Sequence, residues 1–215
     1  MTINVHGLRD DRRALVAVLR GARPDVVALQ EPPRGPLGRQ RLSRLAGASG
    51  LRIAVVGGGA RTTALLVRDG LDADNRRALR LPRAGGRVLR GASLAEVKGV
   101  RVIGIHLGLH RDERVLHAEH VLVLATEAPG PCVVAGDFNE AAEGTAARRI
   151  REVLRDAAPG AGATFPAADP QHRIDLVLVS SHLMVEAARV VRDANASRAS
   201  DHLPVVVDLR IGDDG

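Results

Sequence analysis

The hydrophobic positions of the chain fall mainly into short apolar runs of strand length. These runs are bounded by Gly, Pro, Asp or Asn, a pattern that predicts β-strands separated by turns. The expected strands cover Thr2–Val5, Asp25–Gln30, Leu51–Val56, Thr62–Val67, Ala92–Val97, Val100–His106, Cys132–Gly136, Ile174–Val179, Val185–Val191 and Leu203–Leu209. Turns at 57–59 and 98–99 contain glycine and join two neighbouring pairs of strands as hairpins.

Four segments show helical spacing of their apolar residues instead. The clearest is Asp11–Arg20, where Asp10 or Asp11 can cap the start and Gly21 and Pro24 lie beyond the end. The other expected helices cover Gln40–Ala46, Asp112–Glu127 and Thr145–Arg155. Strands outnumber helices too heavily for a doubly wound parallel sheet. The pattern therefore favours an α/β (α+β) fold in which two packed, mixed sheets carry helices on their outer faces.

Length and composition predict one soluble domain. The 215 residues suit a single domain spanning 1–215, and 45% of them are hydrophobic. No apolar run approaches the roughly 20 residues of a membrane helix, and the first residues do not resemble a secretory signal. We therefore expect a cytoplasmic protein without a membrane span, and a monomer. The single cysteine, Cys132, lies in an apolar run and is expected to be a core residue.

The charge balance suits an anionic substrate. The formal net charge is +6, and Lys98 is the single lysine among 31 basic residues. A chain rich in alanine and arginine also arises from a GC-rich genome, which weakens this indication. The chain has no tyrosine or tryptophan, and Phe138 and Phe165 are its two aromatic residues. Recognition of bases by stacking is therefore disfavoured.

Several apolar strands end in an acidic or amide residue. Glu31 follows one strand, Asp137 and Asn139 follow another, and Asp175 begins a third. Taken singly, each of these residues is more often part of a turn. Carboxylates gathered at one rim repel each other unless a cation neutralises them. Oxygen ligands without a cysteine cluster indicate Mg²⁺, Mn²⁺ or Ca²⁺ rather than structural zinc.

Two histidines lie at comparable strand ends. His106 ends a strand, and His202 follows Asp201 at the head of the last strand. An imidazole held by a carboxylate can donate a hydrogen bond to a phosphoryl oxygen or transfer a proton near neutral pH. Either histidine alone is more often a strand-end residue with its polar atoms satisfied.

The order of these short motifs along the chain favours a functional role over a structural one for these residues. The chain contains, in sequence, TINVHG with Asn4, Gln30-Glu31, His106-Leu107, Gly136-Asp137-Phe138-Asn139, Arg173-Ile174-Asp175 and Ser200-Asp201-His202-Leu203-Pro204. This set resembles the signature motifs of the endonuclease/exonuclease/phosphatase superfamily. The resemblance runs from Asn4 to Pro204 and implies a deoxyribonuclease I-like, four-layer αββα sandwich with the active site at one edge.

The resemblance also implies a metal site. Glu31 would be the principal ligand of Mg²⁺ or Mn²⁺, with Asn4 nearby and possible contact through water. Asp201 would be a second ligand of the metal or of its water. The family's cofactor requirement thus agrees with the preference for a hard cation that the residue types give.

Catalytic roles follow from the same resemblance. Asp137 would orient or deprotonate the attacking water, and Asn139 would hold the scissile phosphate. Asp175 would orient His202, whose ring would stabilise the charge that develops on the phosphate. His106 would contact the phosphate or assist the leaving group. Phosphoryl transfer needs positioning and charge neutralisation above all, which such groups supply.

The sequence leaves the substrate open. The leading hypothesis is a phosphodiesterase that acts on the DNA or RNA backbone. A phosphatase or phosphodiesterase for a small molecule or lipid headgroup is the alternative, favoured by short loops and few aromatic residues. A third hypothesis is a binding module that has lost catalysis, which the intact set of motif residues disfavours. The absence of tyrosine also disfavours a repair enzyme that cleaves at abasic sites.

Other basic residues are weaker candidates for a functional role. His117 and His120 have a spacing that would permit a shared metal, but a solvated helix face is the expectation. Four arginines are predicted to lie in loops around the site and to be candidates for substrate phosphate contacts: Arg9, Arg34, Arg61 and Arg111.

Overall fold

The computed structural model of the chain describes residues 1–83 and 88–212, so the expected domain span of 1–215 extends beyond the described residues. The strands are β1 Thr2–Asn4, β2 Val26–Gln30, β3 Leu51–Val56, β4 Thr63–Arg68, β5 Asp74–Arg80, β6 Gly91–Val97, β7 Val100–His106, β8 Cys132–Asp137, β9 Arg155–Asp156, β10 Asp175–Val179, β11 Leu183–Val190 and β12 Val205–Ile211. The α-helices are α1 Arg12–Ala22, α2 Gly38–Ala48, α3 Arg111–Thr126, α4 Thr145–Ile150 and α5 Ala196–Ala199.

The strands form two mixed sheets. The order in the first sheet is β11-β12-β1-β2-β4-β3, and the order in the second is β5-β6-β7-β8-β10-β9. Within each sheet one pair is parallel, β1 with β2 and β7 with β8, and the remaining pairs are antiparallel. The prediction of two mixed sheets is therefore confirmed.

Helices cover the outer faces of the two sheets. Helix α1 buries Leu15 and Leu19 in the same core as Ile3 of β1 and Leu29 of β2. On the other side, α3 and α4 pack on the second sheet, where Ile150 joins the core formed by its apolar residues. The inner faces of the sheets pack on each other. The result is the four-layer sandwich that the family resemblance implied.

The caps and turns of several elements follow from local sequence. Asp11 caps α1, because its side chain accepts hydrogen bonds from the backbone N–H groups of Arg13 and Ala14. Lys98 and Gly99 both have positive φ in the turn between β6 and β7, as a tight hairpin requires. Within residues 1–83 and 88–212, no helix combines the length and the apolar character that crossing a bilayer would need.

One helix boundary differs from the prediction. The helix expected over Thr145–Arg155 ends at Ile150, and Arg155–Asp156 instead pairs with β10 as the short edge strand β9. Leu154 is buried in the core against the second sheet, so a turn rather than a helix brings this apolar residue inward. Burial in tertiary structure thus outweighed the helical spacing of the segment.

The sheet registers bring the polar strand ends to one edge of the sandwich. In the second sheet, Asp137 at the end of β8 pairs with His106 of β7 on one side and with Asp175 of β10 on the other. In the first sheet, Asn4 of β1 pairs with Gln30 of β2. Residues that lie far apart in sequence therefore meet at one end of the strands.

Candidate active site

Asp137 lies at the centre of this edge. Gly136 lets β8 approach β7 closely, because a Cβ at this position would overlap the carbonyl oxygen of Ile105. The Asp137 side chain is 2% exposed. Its Oδ1 accepts a hydrogen bond from the backbone N–H of Asn139 at 2.9 Å, and its Oδ2 accepts one from Asn4 Nδ2 at 3.2 Å. The strand end thus holds the carboxylate in one orientation.

The surroundings of Asp137 favour its protonated form more than water does. Burial raises the pKa of Asp137 to about 7, and the nearby charge of Asp175 acts in the same direction. His202 and the hydrogen bonds from Asn139 and Asn4 oppose this shift. A carboxylate with a pKa near neutrality can take up a proton during turnover, which is the property of a general base.

His202 forms a buried hydrogen-bonded group with Asp175. His202 Nδ1 lies 2.9 Å from Asp175 Oδ2, and the Thr164 hydroxyl donates to the same oxygen at 2.6 Å. The ring of Phe165 packs on the imidazole, with 4.7 Å between ring centroids. On its other side, His202 Nε2 lies 3.9 Å from Asp137 Oδ2. The imidazole is therefore held on three sides.

The charges around His202 favour the imidazolium. Burial alone would lower the pKa of His202, but the hydrogen bond and charge of Asp175, with Asp137 and Asp201, raise it to about 9. Protonated at neutral pH, the ring can donate a hydrogen bond from Nε2 to a phosphoryl oxygen. The positive ring also opposes the negative charge that accumulates on a reacting phosphate.

His106 has the opposite electrostatic surroundings. Its Nε2 lies 3.4 Å from Asp137 Oδ2, while Arg90 Nη1 lies 2.9 Å from its Nδ1 and 2.8 Å from its Nε2. Burial, followed by the charges of Arg90, His202 and Arg34, lowers the pKa of His106 well below its usual value. The ring is therefore neutral near pH 7, and two histidines in one site differ in protonation.

Two residues at the edge have strained backbones. Glu31 and Asn139 both have φ of 51° in the left-handed region, which most residues other than glycine avoid at a cost of roughly 1–2 kcal/mol. Hydrogen bonds hold them there: Glu31 N–H donates to Thr62 O, and Asn139 Nδ2 donates to Leu107 O at 2.9 Å. Such strain is frequently found at functional sites.

The two remaining predicted metal ligands flank this cluster. The side chain of Glu31 lines a cavity that also contains Arg90. Asp201 is partly exposed, and the Ser200 hydroxyl beside it lies 2.6 Å from Asn4 O and 3.3 Å from Asp201 Oδ1. All eight predicted site residues therefore lie along one edge of the sandwich.

The site contains a group that could hold a metal ion. Asp137, Asp175 and His202 offer ligand atoms that lie within 4.8 Å of one another. Asp175 Oδ1 is buried and, within the described part of the chain, makes no hydrogen bond. These three residues differ from the expected ligands Glu31 and Asp201, which lie at the margin of the same cluster.

Three residues of the site were not predicted from the sequence. Arg90 contacts His106, Thr164 donates to Asp175, and Phe165 packs on His202. Arg90 and Thr164 lie in segments without a recognisable motif, and they reach the site through tertiary contacts. The scarcity of aromatic residues was the one available signal for Phe165.

The four candidate arginines divide in two groups. Arg9 and Arg34 line the cavity beside Glu31, and Arg61 lines a neighbouring cavity together with Arg34. Arg111 lines neither of these cavities and donates to Thr145 Oγ1 at 3.2 Å.

The expected solvated helix face is wrong for His117. This residue is fully buried, its Nε2 lies 2.9 Å from Pro82 O, and its Nδ1 accepts from Gly108 N–H. His120 is exposed. His117 therefore has a structural role, in which it connects α3 to the segment that precedes β6.

The comparisons with known proteins agree with this geometry. The model of the endonuclease/exonuclease/phosphatase family matches residues 1–202. The chain belongs to this family. A comparison with curated protein sequences gives no match.

Solved structures of the same fold cover nearly the whole chain. An endonuclease/exonuclease/phosphatase from Bacteroides vulgatus has a TM-score of 0.80 at 19% identity and covers 98% of this chain and 97% of its own. The Bacteroides thetaiotaomicron mannosyl-6-phosphatase Bt3783 has a TM-score of 0.76 at 18% identity, with coverage of 93% and 90%. A humanized D. rerio TDP2 has a TM-score of 0.75 at 20% identity, with coverage of 97% for both chains. The deoxyribonuclease I-like fold is thereby confirmed, and family membership makes phosphoester hydrolysis the general activity.

Proposed function

We propose that this protein is a divalent-metal-dependent phosphoesterase that cleaves phosphodiester bonds by attack of water on phosphorus. One observation carries the proposal. Asp137 Oδ2 lies 3.9 Å from His202 Nε2 and 3.4 Å from His106 Nε2, so a base, an imidazolium and a neutral imidazole meet at one point. Groups whose surroundings push their pKa values apart are typical of acid–base sites.

The donor set fits a hard divalent cation, with Glu31 and Asn4 as its principal holders and Asp201 as a further ligand. Oxygen atoms dominate the edge, and Cys132 lies at the opposite end of β8 with its pKa raised to about 11 by burial. His202 is assigned to the phosphate rather than to the metal, because its Nδ1 is committed to Asp175 and its raised pKa favours a proton on Nε2. Mg²⁺ or Mn²⁺ bound there would neutralise charge on the phosphate and lower the pKa of a bound water.

The chain's own residues supply the remaining chemistry. Asp137 orients the attacking water and takes its proton as the new P–O bond forms. His202 donates from Nε2 to a non-bridging phosphate oxygen, and Asp175 keeps the imidazolium in that orientation. His106, which is neutral near pH 7, contacts the phosphate on its other side or assists the leaving oxygen. Asn139 has one amide hydrogen committed to Leu107 and a second for the phosphate.

Nucleic acid is the leading substrate class. The net charge of +6 and the arginines around Glu31 favour a polyanion. A small-molecule or lipid-headgroup phosphate is the second candidate, favoured by the absence of tyrosine and tryptophan and by the similarity to a mannosyl-6-phosphatase.

A substrate panel tests the proposal. The purified chain is assayed with plasmid DNA, single-stranded DNA, RNA, bis-p-nitrophenyl phosphate and p-nitrophenyl phosphate, each with Mg²⁺ or Mn²⁺. Cleavage of the diesters that is lost in the Asp137→Asn variant supports the proposal. Hydrolysis restricted to p-nitrophenyl phosphate would favour the small-molecule phosphatase. Activity on none of the panel, despite a folded protein, would favour the binding module.

A further inference from the structure

A cavity of about 750 Å³ opens beside Glu31, within the range of sites that bind small molecules. We call it the arginine cavity, because five arginines and a single acidic residue line it: Arg9, Arg12, Arg34, Arg41, Arg90 and Glu31. The chemistry of its walls therefore suits an anion rather than an apolar ligand.

These arginines lack the carboxylate partners that some other arginines of the fold have. Arg114, for example, pairs with Glu140, and Arg173 pairs with Asp156. Across residues 1–83 and 88–212, none of the five arginines of the cavity forms an ion pair with an Asp or Glu. Five positive charges gathered around a single carboxylate, Glu31, repel each other, and an incoming anion reduces this cost.

Arg90 is a buried residue in the wall of the arginine cavity, so the positive charge of the cavity is not confined to its surface. It is 8% exposed and precedes Gly91, where any Cβ would overlap the carbonyl oxygens of Gly59 and Ala60. This close packing fixes the start of β6 against the neighbouring turn. A buried guanidinium without a carboxylate partner is costly unless a ligand satisfies it.

Arg90 also joins the arginine cavity to the active site. Its Nη1 contacts both ring nitrogens of His106, and His106 lies 3.4 Å from Asp137. An anion on the cavity side of Arg90 would therefore lie next to a phosphate held at Asp137 without occupying the same position. The two places are adjacent, and Glu31 borders both of them.

We propose that the arginine cavity binds a second phosphate group of the substrate, so that the protein selects phosphate esters that carry an additional phosphate beside the scissile one. This inference rests on the proposed function, which places the scissile phosphate at Asp137. Arginine forks bind phosphate oxygens in pairs, so Arg34 and Arg41 can hold the second phosphate from the open side while Arg90 holds it from within.

Binding to an inactive protein tests the inference without turnover. Calorimetry of the full chain with Asp137→Asn, with Mg²⁺ present, compares a dinucleotide that carries a 5′ phosphate with the same dinucleotide lacking it. A second pair compares fructose 1,6-bisphosphate with fructose 6-phosphate. The extra phosphate should tighten binding tenfold or more in at least one pair, and the responding pair identifies a nucleic-acid or a small-molecule substrate.

Matched variants test whether the arginine cavity is responsible for the gain in affinity from the extra phosphate. Arg34→Gln with Arg41→Gln, added to the inactive protein, should abolish the gain from the extra phosphate. Arg148→Gln should not, because Arg148 is exposed on α4 and lines none of the cavities near Glu31. Arg34 and Arg41 are exposed, so their replacement should leave the melting temperature unchanged. Equal affinities within both pairs, or an equal loss in Arg148→Gln, would overturn the inference while leaving diester cleavage by the wild type untouched.

Discussion

His202 Nδ1 lies 2.9 Å from Asp175 Oδ2, and this contact leaves Nε2 as the ring nitrogen that is available for chemistry. Because Nδ1 donates to the buried carboxylate, Nε2 is directed to the side where Asp137 lies. Thr164 donates to the same Asp175 oxygen at 2.6 Å, and this hydrogen bond fixes the orientation of the carboxylate. The orientation of a proposed catalytic ring therefore depends on a threonine that does not reach the substrate side.

Replacing Thr164 by valine should reduce kcat about tenfold with little change in KM. The substitution keeps the shape of the side chain but removes the hydroxyl that fixes Asp175, and a shift of the carboxylate misplaces His202. A loss of about 1–3 kcal/mol in unfolding free energy should accompany it, because a buried acceptor loses its donor. Thr164→Ser should restore kcat. Equal kcat values in the valine and serine variants would show that packing, not the hydrogen bond, matters.

Asp137→Asn and His202→Ala should each reduce turnover by about 10²–10⁴-fold, since single groups that position or stabilise a reacting phosphate typically contribute this much. Both variants should keep the circular dichroism spectrum of the wild type. Asp208→Asn and His182→Ala are the matched controls, because both residues are exposed and lie outside the site. Activity of either site variant within tenfold of the wild type would remove that residue from its proposed role.

The sequence predicted the strands with apolar runs and missed two that have none, β5 and β9. The segment Asp74–Arg80 is mostly polar and largely exposed, yet it forms β5 at the edge of the second sheet. An edge strand of this kind shows no alternation of apolar and polar residues, so backbone pairing with β6 alone identifies it. For the same reason the sequence does not predict β9, whose two residues are identified as a strand by their pairing with β10.

The sequence motifs predicted which residues form the candidate site. They did not predict the residues that contact and support them, because those contacts arise from tertiary structure. Asp137 and Asp175 could be brought together from the sequence because both lie at ends of apolar strands. Arg90 could not, because it follows a segment without a periodic pattern and reaches His106 through the pairing of β6 with β7. His117 illustrates the reverse error, since helical spacing alone does not reveal that a polar residue faces a neighbouring segment.

The contributions of Asp137 and His202 to the stability of the metal-free protein should fall as the pH rises, whereas the lowered pKa of buried His106 acts in the opposite direction. The pKa of Asp137 is raised to about 7 in the fold, so the folded state holds this proton more tightly than the unfolded chain and loses stability between about pH 4 and 7. The pKa of His202 is raised to about 9, so its contribution is complete below its unfolded value and is lost as pH rises toward 9. Both groups act in the same direction.

Asp137→Asn should therefore stabilise the protein at pH 8 in EDTA, because it removes a buried carboxylate whose charged form the fold disfavours. The difference from the wild type should shrink at pH 5, where Asp137 is protonated in the fold. Urea unfolding at pH 5 and pH 8 measures the difference in unfolding free energy between the variant and the wild type. A variant that is less stable than the wild type at pH 8 would contradict the assignment of Asp137 as a strained, buried carboxylate.

Chelation should abolish activity without unfolding the protein, and Mg²⁺ or Mn²⁺ should restore it. Because Glu31, Asp137 and Asp201 share one edge of the sandwich, a divalent cation that binds the folded state relieves their repulsion and raises the melting temperature by mass action. A cation at a hundred times its Kd would add about 2.7 kcal/mol.

Glu31→Gln should weaken this stabilisation more than any other single substitution, because it removes the anionic ligand proposed to contact the ion directly. Melting temperatures measured across a series of Mg²⁺ and Mn²⁺ concentrations give the apparent Kd of each variant. Glu186→Gln is the control, since Glu186 pairs with Arg210 on the exposed face of β11. Suppose that diester cleavage persists in excess EDTA, or that neither cation raises the melting temperature of the wild type. In that case the carboxylates at this edge have a structural role at the strand ends, and a binding module that has lost catalysis becomes the better account of the protein.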